Sequence, residues 1–199
     1  MYPEIALASE NAMTRTLHLA SALAMLLLCA CAPELDPENT LYMDLEKGRV
    51  VIALRPDLAP VHVARIKKLT RDGFYNGLKF HRVIDGFMAQ TGDPTGTGRG
   101  GTGVKLKAEL SEEPFKRGSV GMARKRDPDT ADSQFFICTD RASALDGKYT
   151  LFGKVVEGMQ LVDEIEKGTW ERGGLVDDPD IIVRMRVAAD MEPTDKSVK

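Results

Sequence analysis

The residues best suited to chemistry lie in Phe80-His81-Arg82-Val83-Ile84-Asp85-Gly86-Phe87-Met88-Ala89-Gln90-Thr91-Gly92-Asp93. Two adjacent strands pairing across Asp85-Gly86 would bring Arg82, Phe87 and Gln90 near one another. Such a patch combines a permanent cation, an aromatic wall, a flexible thioether at Met88 and an amide. The same residues also suit a plain structural role, since alternating Phe and Met usually fill a core and a lone Arg usually sits at the surface. Taken alone, the segment leaves both readings open.

Other chemistries fit less well. Gly96-Thr97-Gly98-Arg99-Gly100-Gly101 matches G-x-G-x-x-G by letter, but Asp93-Pro94 precedes it and Thr102-Gly103-Val104 starts no helix. A dinucleotide loop must leave a strand and open a helix, so that helix amides face the pyrophosphate. No Lys-Ser/Thr pair completes a phosphate loop either, and the stretch reads as a flexible surface loop. Gly118-Ser119-Val120-Gly121 does not supply the strained nucleophile turn of a serine hydrolase. His62 and His81 have no partner at a metal-ligand spacing, and His62 is expected to be a surface or capping residue. No metal or cofactor is expected. With 27 Lys+Arg against 30 Asp+Glu, the formal charge of −3 gives no general attraction to nucleic acid.

The elements that must position these residues read mostly as short strands. Leu41, Met43 and Leu45, then Val50 to Leu54, flank Lys47-Gly48 as a hairpin. Ala59-Pro60 opens a helix whose core stripe is Val63, Ile66 and Leu69, and Gly73 stops it. Further strands are expected over 80–84, 87–90, 118–122, 135–139, 151–156 and 181–188, with a second helix over 158–166. This pattern predicts a mainly β fold, a closed antiparallel barrel of about eight strands capped by two helices. Cys138, in the apolar run Phe135-Phe136-Ile137-Cys138, is expected to be a buried small hydrophobe.

The first 32 residues differ in composition from the rest. Leu17 to Ala32 is almost wholly apolar and follows Arg15, the pattern of a secretory signal, with Met13 an alternative start. The run is shorter than the roughly 18 apolar residues of a spanning helix. Leu28-Cys29-Ala30-Cys31 resembles a bacterial lipobox, which implies lipidation at Cys31. Simple cleavage after Ala32 would put Pro33 next to the cut, a poor fit. The expected organisation is a signal over 1–30, a tether over 31–39, a folded domain over 40–189 and a flexible tail over 190–199. The protein is then exported to the periplasm and held at a membrane through the lipid alone, the outer membrane if enterobacterial sorting rules apply.

Phe80 to Asp93 resembles the cyclophilin pattern almost letter for letter. Gly121-Met122-Ala123, Ser133-Gln134-Phe135-Phe136-Ile137-Cys138-Thr139, Leu145-Asp146-Gly147-Lys148 and Phe152-Gly153 follow in that family's order and approximate spacing. Ala59-Pro60 and Gly73-Phe74-Tyr75-Asn76-Gly77 match its first helix and the loop after it. The resemblance spans about residues 40–188 and implies a peptidyl-prolyl cis-trans isomerase acting on proline-containing peptides and unfolded exported proteins. It implies that Arg82 is catalytic, hydrogen-bonding the prolyl nitrogen. Phe87, Met88, Phe136 and Leu145 are then the proline pocket, Gln90 holds a substrate carbonyl and Gln134 supports it. Ala123 and the backbone of Arg124 run beside the peptide, and Gly98 lines the neighbouring subsite. Tyr149 stands where the family often has His, and still packs and hydrogen-bonds.

Two further departures bear on specificity. Ala144 replaces a common Trp that contributes to cyclosporin binding, which implies weak affinity for that drug. Arg124, in place of the usual Asn, opens Arg124-Lys125-Arg126-Asp127, a loop one residue longer than the common form. This loop is either solvated, with Asp127 and Asp129 balancing it, or favours acidic residues in the peptide. A proline-motif binding or holdase module with incidental catalysis is the alternative function. A monomer is the default assembly.

Overall fold

The computed structural model describes residues 35–191, so the expected signal, Cys31 and the end of the tail lie outside the described residues. Ten regular elements follow in chain order: β1 (Thr40–Leu45), β2 (Gly48–Leu54), α1 (Pro60–Arg71), β3 (Arg82–Ile84), β4 (Met88–Thr91), β5 (Ser119–Met122), β6 (Phe135–Cys138), β7 (Leu151–Glu157), α2 (Met159–Asp163) and β8 (Arg184–Val187). The strands form one sheet of eight in the order β3-β4-β6-β5-β7-β2-β1-β8, and every pairing is antiparallel.

The sheet is an open, curled half-barrel and not the closed barrel expected from the strand pattern. The gap lies between β3 and β8, where no continuous ladder forms and the chain is joined by isolated bridges, Lys79 to Ile181 and Arg82 to Leu175, and scattered hydrogen bonds. Predicted strands are trimmed here because their amides bond elsewhere: Phe80 N donates to Asp180 O at 2.9 Å and Ile182 N to Leu78 O at 2.9 Å. Val83 N donates to the Gly174 carbonyl (2.8 Å), and Gly173 and Gly174 have φ of +66° and +85°. A left-handed pair cannot continue a ladder, so β3 is covered by a turn and not by a strand.

Helix α1 follows its sequence signals closely. Pro60 occupies the first turn, and Gly73, with φ +72°, receives the chain at the other end. Phe74 N donates to Leu69 O and Gly73 N to Thr70 O, both at 3.0 Å, which closes the helix with paired carbonyls. Its start is capped from a distance. Ala59 offers no side-chain cap, and the Glu109 carboxylate accepts from Val61 N (3.1 Å) and His62 N (3.0 Å). His62 is fully buried with Nδ1 2.5 Å from Glu109 Oε2, which corrects the surface half of the surface-or-capping expectation; it sits at the helix start, where it is the capped residue and Glu109 the cap. Helix α2 is shorter than its apolar pattern, because Asp180 captures Glu166 N at 2.7 Å and draws the chain out of the helix. Arg71 pairs with both Glu38 and Asp190, so residues assigned to the flanking segments pack on the domain.

Alternation along the strands divides the apolar residues between two clusters. Inside the curl, Phe135, Ile137, Val120, Met122 and Ala89 pack with the α1 stripe of Val63, Ile66 and Leu69. Tyr75, Phe135 and Phe152 meet edge to face, with ring centroids 5.5 and 6.1 Å apart. On the other face, Met88, Phe136 and Cys138 join Ile84, Phe115, Ala142, Leu145 and Leu151 in a second cluster. Cys138 is buried with its thiol pKa pushed up to about 12 by that burial, in keeping with a small hydrophobe.

Candidate active site

The outer cluster carries a cavity. Strand β3 pairs with β4 in the register Arg82 to Gln90 and Ile84 to Met88, with the turn between them made by Asp85, Gly86 (φ +65°) and Phe87. Residues two apart on a strand share a face, so Met88 and Gln90 emerge together beside Arg82. Strand β6 adds Phe136 opposite Gln90. Gly121 on β5 lies opposite Phe136, and a Cβ there would come within 2.5 Å of Phe136 Cζ and 2.6 Å of Phe115 Cε1. Glycine at 121 thus leaves room for the Phe136 and Phe115 rings, and Phe136 forms the floor of the cavity.

Around that floor, Arg82, Phe87, Met88, Gln90, Ala123, Arg124, Phe136, Leu145 and Tyr149 line a cavity of about 190 Å³. Gly98 and Gln134 are not part of it. They line an adjoining cavity of about 320 Å³, which shares Gln90, Ala123 and Arg124 with the first. Every residue singled out in the sequence for this site therefore borders one cavity or the other. Leu145 reaches the first from a single helical turn, Ser143–Leu145, where Ala144 is exposed. Tyr149 packs edge to face on Phe136 at 6.0 Å, and the Arg124 guanidinium lies 4.1 Å above the Tyr149 ring. That contact gives Arg124 a defined place despite the longer loop.

Arg82 is held from two sides. Its Nε donates to Gly173 O at 2.9 Å and its Nη1 to Gln90 Oε1 at 3.2 Å, with Met88 Sδ at 3.8 Å. Gln90 Nε2 in turn donates to Gln134 Oε1 (2.9 Å), and Gln134 Nε2 to Gly100 O (2.8 Å). A guanidinium can only donate and a carbonyl can only accept, so the two ends fix the orientation of both amides between them. Among the described residues Arg82 Nη2 has no partner, which leaves donors free at the cavity. Half-burial lowers the Arg82 pKa from its ordinary range, with Tyr149 opposing. A guanidinium remains charged there nonetheless.

The glycine-rich stretch turns out to be tied down, which corrects the flexible loop expected. Asp93 accepts from Thr95 N (2.7 Å), Thr95 Oγ1 (2.8 Å) and Gly100 N (3.1 Å), and Asp132 accepts from Thr102 N (3.1 Å) and Gly103 N (2.7 Å). Burial pushes the Asp93 pKa upward, but these donors outweigh it and hold the carboxyl at about 2. A Cβ at Gly100 or Gly101 would collide with the Asp93 or Asp132 carboxylate. The loop amides are thus occupied by the protein's own carboxylates, as they would be by phosphate in a nucleotide site. Gly98 (φ +78°) lies over the buried His81, whose ring nitrogens have no partner among the described residues. Burial lowers the His81 pKa, with Asp93 opposing.

Sequence reasoning misses the Gly173 carbonyl, ninety-one residues from Arg82, because no local pattern marks so distant a partner. It also misses Arg99, Lys105, Thr130 and Asp132 on the larger cavity, although Lys125 there belongs to the charged loop already noted. The closeness of Asp132 to Gln134 in the chain is the one signal that could have found part of that set.

Residues 40–187 match the family model described as cyclophilin type peptidyl-prolyl cis-trans isomerase. A probable peptidyl-prolyl cis-trans isomerase of Brucella suis is 52% identical over 167 residues, covering 78% of this chain and 85% of that protein. Peptidyl-prolyl cis-trans isomerase B of Bacillus subtilis is 42% identical over 133 residues, 65% of this chain and 92% of that protein. Among solved structures, a cyclophilin from Hirschia baltica superposes with a TM-score of 0.71 at 30% identity, covering 80% of this chain and 77% of that one. A Cryptosporidium parvum cyclophilin type isomerase, crystallised in the presence of the dipeptide Ala-Pro, gives 0.68 at 29% identity, with 74% of this chain and 98% of that one covered.

Proposed function

Since this chain belongs to the cyclophilin-type peptidyl-prolyl cis-trans isomerases, we propose that it rotates X-Pro bonds of exported proteins by a non-covalent mechanism centred on Arg82. The observation that carries this reading is a guanidinium held through Nε and Nη1, with Nη2 free, beside a cavity of about 190 Å³ that also presents Phe87, Met88, Phe136 and Leu145. A proline ring enters between Phe87, Met88, Phe136 and Leu145. Gln90, oriented by Gln134, holds a neighbouring carbonyl of the peptide. Ala123 and the backbone of Arg124 lie alongside the chain, Tyr149 closes the rim and Gly98 borders the adjoining subsite.

Rotation about the bond faces a barrier of roughly 18–20 kcal/mol, because amide resonance must be lost. As the amide twists, the prolyl nitrogen pyramidalises and gains a lone pair that a donor can reach. A hydrogen bond from Arg82 to that nitrogen exists only in the twisted state, so it lowers the barrier without tightening the ground state. No bond is broken, and no metal or cofactor is needed for the step. Exchange spectroscopy on an X-Pro peptide tests the reading: the protein is expected to accelerate cis-trans exchange well above the uncatalysed rate. Peptide binding without acceleration would leave a binding or holdase module instead.

Export and lipid anchoring rest on the Leu17 to Cys31 pattern. The protein then acts as a monomer on unfolded clients in the periplasm, held at a membrane by acyl chains at Cys31. Expressed in a bacterium with lipoprotein processing, the full chain is expected to partition into detergent and the Cys31→Ser variant into the aqueous phase. Detergent partitioning of both forms would refute the anchor, and aqueous partitioning of both would indicate simple secretion.

A further inference from the structure

We infer that the larger cavity selects an acidic side chain, so that the preferred substrates are proline segments carrying Asp or Glu within a few residues of the proline. The inference rests on the reading that proline fills the smaller cavity. The two cavities share Gln90, Ala123 and Arg124, so a peptide seated in one passes directly into the other.

The larger cavity bears four cationic side chains, Arg99, Lys105, Arg124 and Lys125, against a single carboxylate, Asp132. They arrive from two separate chain segments and converge on one space of about 320 Å³. The whole chain is net acidic at −3, so this wall runs against the overall balance. Local acids offset part of that charge but form no ion pair with it. Asp127 accepts from Asp129 N at 2.9 Å, and Asp129 accepts from Ala108 N at 2.9 Å, so both are turned to backbone. Asp132 is taken up by Thr102 N, Thr102 Oγ1 (2.5 Å) and Gly103 N. Arg124 donates to the carbonyls of Lys125, Arg126 and Lys148, which orient it without cancelling its charge.

Among the described residues none of the four cations has a carboxylate partner. A loop balanced by its own aspartates would pair them directly, whereas the aspartates here are oriented to backbone amides. A peptide carboxylate entering beside Gln90 therefore meets unpaired cations on two walls. Because Arg99, Lys105 and Lys125 are exposed, the gain is that of a solvated ion pair strengthened by convergence, and it weakens with salt.

The test is kcat/KM by exchange spectroscopy on alanine-based peptides with one proline, carrying Glu or Gln at each position within three residues of it. For at least one position, the Glu peptide is expected to be turned over about fivefold faster than its Gln twin at low salt. The ratio is expected to fall toward one in high salt and in the triple variant Arg99→Gln, Lys105→Gln, Lys125→Gln, and to fall partway in Lys105→Glu, which leaves three cations against two carboxylates on the cavity wall. Thermal unfolding serves as the folding control for each variant. A ratio of one at every position, with both peptides accelerated, overturns this inference alone. A ratio unmoved by the substitutions also overturns it. Absence of acceleration for every peptide overturns the isomerase mechanism and this inference with it.

Discussion

Arg82→Ala is expected to lower kcat/KM for an X-Pro peptide by about 10²–10³-fold, the scale seen when one donor aimed at a developing transition-state charge is removed. The loss should fall mainly in kcat, because the bond to the prolyl nitrogen forms only as the amide twists. Binding of a proline peptide, read by titration, should change little. Folding should survive, since the turn that carries Gly173 is also tied to β3 through Val83 N to Gly174 O, Gly168 N to Val83 O and Val176 N to His81 O. Arg82→Lys separates charge from geometry. It keeps the cation but loses the fork that engages Gly173 and Gln90 while leaving Nη2 free, so most of the loss should remain. Retention of kcat/KM within about threefold in Arg82→Ala would assign the barrier lowering to some other group.

Glu109→Ala is expected to cost about 2–4 kcal/mol of folding stability, combining a lost helix cap with a buried imidazole left without its partner. The carboxylate serves the two free amides at the start of α1 and the His62 ring at once. Its own backbone is fixed by Glu109 N donating to Thr150 Oγ1 at 2.9 Å. The sign of the pH effect follows from the geometry. Burial raises the Glu109 pKa, but the His62 ring and the amides of His62 and Val61 outweigh it and hold the carboxyl below its ordinary value. A depressed folded pKa gives stability that is complete above the unfolded value, about 4.3, and is lost as pH falls through the folded one. The stability gap between wild type and Glu109→Gln, measured by urea denaturation, should therefore be full at neutral pH and shrink on acidification. A gap that widens below about pH 4 would refute the pairing.

Both predictions mark how far the sequence can be read. The pairing of Arg82 with Gln90 is legible because Asp85-Gly86 is a local turn signal and strand register follows from it. The Schellman ending of α1 is legible at Gly73 for the same reason. The ordered family motifs extend that legibility to Ala123, Gln134, Phe136 and Leu145. What stays hidden depends on contacts far apart in the chain: Glu109 on His62, Gly173 on Arg82, Asp180 on Glu166. Strand count suggests closure, yet whether the first and last strands meet depends on the amides of 80–83 and 174–182, which no periodicity reveals. The glycine-rich stretch is the instructive case. Its letters fit phosphate binding, and only the folded chain brings the Asp93 and Asp132 carboxylates to its amides.

The alternation along β6 has an evolutionary consequence. Phe135 and Ile137 belong to the inner cluster, whereas Phe136 and Cys138 belong to the outer one beneath the cavity. Adjacent codons thus answer to different selective pressures, one set to persistence of the fold and the other to the ligand. Substitutions that reshape the outer face can accumulate while the inner packing stays intact. Lineages of such a chain can drift in the peptides they prefer without passing through unstable ancestors.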